Sequence, residues 1–125
     1  MKKIVQTDKA PKPLGPYSQG VIVDKFLFVS GQVAIDPEEG KIVANDIRGQ
    51  TIRVMENIEA ILQAAGYDFS HVIQTNVYLS SIALFGEFNK EYGKYFDGSF
   101  PARATVGIEL MPNALVEISV IAYME

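Results

Sequence analysis

The sequence predicts one α+β domain of two layers, with two helices laid over one face of a β-sheet. Three observations predict it. The chain has 125 residues, 48% of them hydrophobic, which suits a single domain spanning 1–125. Two segments carry apolar residues at helical spacing, and the segments around them are short, β-branched and bounded by turn residues. The coarse order is β-β-β-α-β-α-β-β, and both helices need a surface to cover, which one sheet face supplies.

The elements follow in chain order. Ala10-Pro-Lys-Pro-Leu-Gly-Pro16 holds three prolines and a glycine, so it is neither helix nor central strand. It reads as a stiff, extended loop leading into Tyr17. Val21–Val23 and Phe26–Val29, joined by Asp24-Lys25, form a hairpin with a two-residue turn. Asp36-Pro-Glu-Glu-Gly40 is a second turn by composition. Ile47, Thr51, Val54, Ile58, Ile61, Leu62 and Ala65 share one helical face. Asp46 is placed to cap that helix and Gly66 to end it. Val72–Leu79 is a strand by its β-branched and aromatic content. Phe85, Phe88, Tyr92, Tyr95 and Phe96 mark the second amphipathic helix. Arg103–Ile108 and Leu115–Tyr123 are the last two strands, with Met111-Pro-Asn113 turning between them.

Composition narrows the chemistry. The net charge is −4 and the only adjacent basic pair is Lys2-Lys3, a poor match to nucleic acid. There is no cysteine and one histidine, His71, which excludes thiolate catalysis and disfavours a His-based metal site or triad. No glycine-rich phosphate loop occurs. No apolar run approaches the roughly 20 residues needed to span a bilayer, and no signal-peptide core follows Lys2-Lys3, so a cytoplasmic location is expected. The high apolar content for so small a chain points to self-association.

Glu117 stands out as the one carboxylate inside the apolar run Leu115–Tyr123. A run without alternation implies cover on both faces. An unpaired carboxylate there costs several kcal/mol or takes up a proton, so a partner is expected. If the last two strands pair as a hairpin about Met111-Pro112, Arg103 falls near Glu117. The pair then either fixes the register as a partly buried ion pair or forms part of a site. Tyr17, Ser30, Gly31 and Asn89 are further candidates. Read alone, a packed tyrosine, an ordinary turn and a surface asparagine account for them more readily than a site does. Gly31 would allow close approach of a ligand to the backbone.

Together these residues resemble the RidA/YjgF family of reactive-intermediate deaminases. The likeness rests on Gly15-Pro-Tyr-Ser-Gln19, Ser30-Gly-Gln32, Phe88-Asn89 with Tyr92 and Phe96, and Pro101-Ala-Arg103 with Val116-Glu-Ile118. It extends over essentially the whole chain. The resemblance implies a mixed sheet of about six strands with two helices on one face. It also implies a homotrimer built through the sheets, with sites between subunits. It implies that Arg103 grips a substrate carboxylate and Glu117 handles protons. Tyr17, Ser30, the Gly31 backbone, Asn89 and the backbone near Thr105 would complete the pocket. The implied reaction is hydrolysis of 2-aminoacrylate, 2-iminopropanoate or 2-iminobutanoate to 2-keto acids and ammonia, without metal or cofactor. Alternatives on the same scaffold are a non-catalytic carboxylate-binding regulator and a ribonuclease or translation inhibitor. Thr105 stands where many members carry cysteine, and Met111-Pro112 replaces the commoner Leu-Pro.

Overall fold

The computed structural model describes Met1–Glu125. The strands are β1 (Lys3–Val5), β2 (Gly20–Val23), β3 (Phe26–Gln32), β4 (Ile35–Asp36), β5 (Lys41–Ile42), β6 (Val72–Leu79), β7 (Ala102–Gly107) and β8 (Val116–Tyr123). The helices are α1 (Ile47–Ala64) and α2 (Phe85–Tyr92). Six strands form one mixed sheet in the order β1-β2-β3-β8-β6-β7, and β4–β5 make a small separate hairpin. The α+β class, the six-stranded mixed sheet and the two helices agree with expectation. β1 is an element the sequence reading did not identify.

Local chemistry explains the boundaries. In the β2–β3 turn Asp24 takes a φ of 53°, which lets Val23 face Phe26 across the hairpin. The Asp46 side chain accepts the Gly49 N–H and caps α1. Gly66, just beyond the helix, has a φ of 83°, a conformation suited to a residue without a Cβ. The second helix is shorter than its aromatic stripe. It passes into a 3₁₀ turn at Gly93–Tyr95, and Phe96 closes the face from beyond it.

The core lies between the helices and one sheet face. Leu27, Val29, Val77, Leu79, Val116, Ile118, Val120 and Ala122 pack from the sheet. Val54, Ile58, Ile61 and Leu62 of α1 and Phe88 and Tyr92 of α2 meet them. Ile58 is wholly buried. Cutting such a side chain to alanine costs about 2–5 kcal/mol.

The other sheet face has no helix over it. β8 alternates strictly between buried and half-buried positions, so within one protomer it is covered on one side only. Val23, Phe26, Phe28, Ile73 and Val106 are all more than a third exposed.

One expectation is overturned. β7 and β8 do not form a hairpin. β7 runs parallel to β6, with Thr75 opposite Arg103, and β8 runs antiparallel to β6, with Tyr78 opposite Glu117. Helix α2 supplies the long crossover that parallel pairing requires. β6 therefore lies between the strands that carry Arg103 and Glu117. Opposed residues share a face, and faces alternate along a strand. Arg103 thus projects with buried Thr75 toward the helices, and Glu117 projects with Tyr78 onto the open face.

Candidate functional site

Glu117 is placed by an irregularity in β3. Val29 faces Val120 and Gln32 faces Ile118, so Ser30 and Gly31 together oppose Ser119 alone. This bulge shifts the buried parity from Leu27 and Val29 to Gln32 and leaves Ser30 and Gly31 both half-buried. A Cβ added at Gly31 would run into the Glu117 carboxylate. The absent side chain is therefore the space the carboxylate occupies. Ser30 is held from behind. Its N–H donates to the Gln19 carbonyl at 2.9 Å and its hydroxyl to the Ser18 carbonyl at 2.5 Å.

Glu117 lines a cleft of about 360 Å³ with Tyr17, Ser30, Gly31 and Gln32 on its polar side. Pro11, Leu14, Val33, Ile35 and Met111 form its apolar walls, and Lys12 also lines it. Tyr17 is half exposed, and its hydroxyl accepts the Leu14 N–H at 3.1 Å. Burial alone pushes the Glu117 carboxyl above the ordinary glutamate range. No cation offsets it within the protomer. The expected partner is missing from the same chain.

Arg103 sits elsewhere. It lies on the edge strand β7, and its guanidinium carbon is 4.9 Å from the Tyr92 ring centroid, 5.4 Å from Phe85 and 5.9 Å from Phe88. One guanidinium nitrogen donates to Asn89 Oδ1 at 2.9 Å. The aromatic stripe and Asn89 thus fix the direction of the fork, and no carboxylate of the protomer bonds to it. The Tyr92 hydroxyl is itself held 2.7 Å from Thr75 Oγ1. Burial raises the Tyr92 pKa, against the opposing influence of Thr75 and the Arg103 charge. Asn89, Tyr92, Phe100, Pro101 and Arg103 border a second, open depression. Thr105, two residues along β7, shares the Arg103 face, and its Oγ1 is buried without a hydrogen-bond partner.

The structure therefore sorts the candidates into two separate groups. Tyr17, Ser30, Gly31 and Glu117 meet in one cleft. Asn89 and Arg103 meet at the edge strand, with Thr105 beside them in sequence. The sequence reading missed Gln32, Met111 and the proline-loop residues Pro11, Lys12 and Leu14 as parts of the first cleft. The loop's rigidity was its only signal. No group of three His, Cys, Asp or Glu residues has the arrangement of a metal site, and no helix is long and apolar enough to cross a membrane.

Comparison with known proteins gives consistent matches. The family model described as Endoribonuclease L-PSP matches residues 7–124. A RutC family protein of Saccharolobus solfataricus is 52% identical over 98% of this chain and 98% of its own. The 2-iminobutanoate/2-iminopropanoate deaminase of Mus musculus is 42% identical over 98% of this chain and 91% of its own. Among solved structures, that of E. coli TdcF with bound serine superposes with a TM-score of 0.93 at 34% identity, covering 98% of this chain and 99% of that one.

Proposed function

Because the chain belongs to the RidA/YjgF/RutC family, we propose that it hydrolyses small 2-imino and 2-enamino acids to 2-keto acids and ammonia, at a site completed between subunits. The observation that carries this reading is the half-buried, unpaired Glu117 carboxyl beside Gly31 in an open cleft. A carboxyl lifted by burial binds its proton more tightly than an ordinary glutamate, which makes it a better base toward an attacking water. The mouse relative named as an imine deaminase supports the substrate class.

In this proposal three copies associate through the open sheet face, covering Phe26, Phe28 and Val106. The edge strand of one copy then brings Arg103 to the Glu117 cleft of its neighbour. Arg103 binds the substrate carboxylate through two parallel hydrogen bonds. Its aromatic shelf keeps the fork oriented before substrate arrives. Asn89 and the backbone near Thr105 finish the carboxylate side, and Tyr17, Ser30 and the Gly31 backbone finish the other.

Glu117 takes a proton from water as the oxygen adds to the protonated imine carbon. Glu117 returns that proton to the nitrogen of the resulting tetrahedral carbinolamine and then takes the hydroxyl proton as the C–N bond breaks, so that ammonia departs and the keto-acid carbonyl remains; the proton left on Glu117 passes to the ammonia, which leaves as ammonium. An enamine substrate first gains a proton at its terminal carbon to become the imine. Orientation and one acid–base group are sufficient because imine carbons accept water readily.

The test generates 2-iminobutanoate with a threonine dehydratase and follows 2-ketobutyrate release. Wild type should accelerate the release well beyond Arg103→Ala; equal rates would end the proposal. A second reading, a binding protein without turnover, is favoured by the serine held by TdcF. Keto-acid binding by wild type with no acceleration of hydrolysis would establish it instead.

A further inference from the structure

We propose that Gln19 is a positioning residue of this site, a buried clamp that holds the proline loop so that Lys12, Leu14 and Tyr17 stay fixed where they line the Glu117 cleft. The inference rests on the deaminase reading and deepens it.

Gln19 is 2% exposed and sits at the entrance to β2. Its Oε1 accepts the Thr7 N–H at 2.7 Å. Its Nε2 lies 2.9 Å from the Pro11 carbonyl, 3.0 Å from the Thr7 carbonyl and 3.3 Å from the Ala10 carbonyl. Three acceptors thus converge on a nitrogen with two hydrogens. One side chain binds both ends of the Thr7–Pro11 segment.

Apart from Ala10, which is buried in the core, and the Leu14 N–H bond to the Tyr17 hydroxyl, the loop has few other anchors. Pro11, Pro13 and Pro16 have no N–H to donate. Its own bonds include Tyr17 N–H to the Gly15 carbonyl at 2.8 Å and Lys9 N–H to the Thr7 hydroxyl at 3.2 Å. Lys12, Leu14 and Tyr17 follow directly and line the Glu117 cleft. At the other end, the Gln19 carbonyl receives the Ser30 N–H at the β3 bulge. Gln19 therefore couples two walls of the cleft, one through its side chain and one through its main chain. It touches no position a substrate would occupy, so its effect on turnover must pass through the loop.

Gln19→Met keeps the length and removes every side-chain hydrogen bond. We expect kcat/KM for 2-iminobutanoate to fall about 10- to 100-fold, the range produced by small misplacements of groups around a reacting centre. In a Tyr17→Ala background the same change should cost less than about 3-fold, because residues acting as one unit are not additive. Hydrogen exchange should accelerate at the Thr7 amide and leave amides of α1 unchanged, which a global loss of stability would not do. Equal losses in both backgrounds, or undiminished kcat/KM with unchanged Thr7 protection, would overturn the clamp. Should Gln19→Met fail to fold, Gln19→Glu replaces it. Its carboxylate lacks donors at neutral pH and regains one on protonation. Its turnover relative to wild type should therefore rise toward acid pH, and a flat ratio counts against the proposal. A wild type without any turnover would remove the deaminase reading alone. Thr7 protection in Gln19→Met then decides the clamp, its loss upholding it and its persistence overturning it.

Discussion

At the scale of single residues, Glu117 sets the sharpest expectations. Its carboxyl is lifted by burial above the ordinary value of 4.5, while in the unfolded chain it returns to that value. The proton is therefore bound more tightly by the folded state. The resulting contribution to stability is complete below the unfolded pKa and is lost as pH rises through the folded one. In the separated protomer, where no neighbour's arginine reaches the cleft, Glu117→Gln should accordingly be more stable than wild type at alkaline pH, with the difference closing as the solution is acidified. Thermal denaturation across that range checks it; a stabilisation independent of pH would contradict the burial argument. The same variant should lose turnover by about 10²- to 10⁴-fold, the usual contribution of a positioned acid–base group, and keep its affinity for 2-ketobutyrate. Arg103→Ala should show the reverse emphasis, with weakened binding of keto acid. In the proposed function Arg103 serves binding and Glu117 proton transfer, so the two variants should divide these effects between them.

At the scale of elements, the β3 bulge matters most. It turns two consecutive residues toward the open face, and the second must lack a side chain for Glu117 to stay in place. Gly31→Ala is expected to fold with near-native stability while displacing the carboxylate, so that turnover falls and the fold's circular dichroism does not change. Full activity in Gly31→Ala would show that the close approach is irrelevant. This bulge was not legible in the sequence, where Ser30-Gly31-Gln32 reads equally well as a turn. Elements with strong periodic signals were legible. Val72–Leu79 begins and ends where its β-branched content does, and α1 lies between Asp46 and Gly66. The pairing of β7 was misread for a definable reason. Sequential strands joined by a turn usually lie side by side, but here the apolar strand β6 already occupies the edge of β8. Members of the site were legible as residue types, since a carboxylate in an apolar run and an arginine at a strand head both ask for partners. Their separation into two groups was not, because it depends on strand order. β1 was missed because three residues, two of them exposed, carry too little pattern.

At the scale of the whole molecule, the proposed function makes assembly a condition of activity, because Arg103 and Glu117 lie apart within one protomer. Light scattering should report a trimer, and a monomer at micromolar concentration would remove the means of joining Arg103 to Glu117. Mixing offers a stricter check. Arg103→Ala and Glu117→Ala are each expected to be inactive. Trimers reassembled from equal amounts of both should recover activity at about one interface in four, because each site draws one residue from each neighbour. Recovery of nothing, with mixed trimers verified by mass, would place both residues of each site on one subunit.

The position of β8 carries a consequence for how the chain reaches this state. It is the last strand in sequence and lies in the interior of the sheet, between β3 and β6. Until it is in place, β1–β3 and β6–β7 are two separate ribbons, each with an apolar face and an unpaired edge. A ribosome must therefore have released Tyr123 from its exit tunnel before the sheet can close. Before β8 docks, any ribbon that forms from β1–β3 or β6–β7 leaves an apolar face and a strand edge uncovered, the features that favour aggregation.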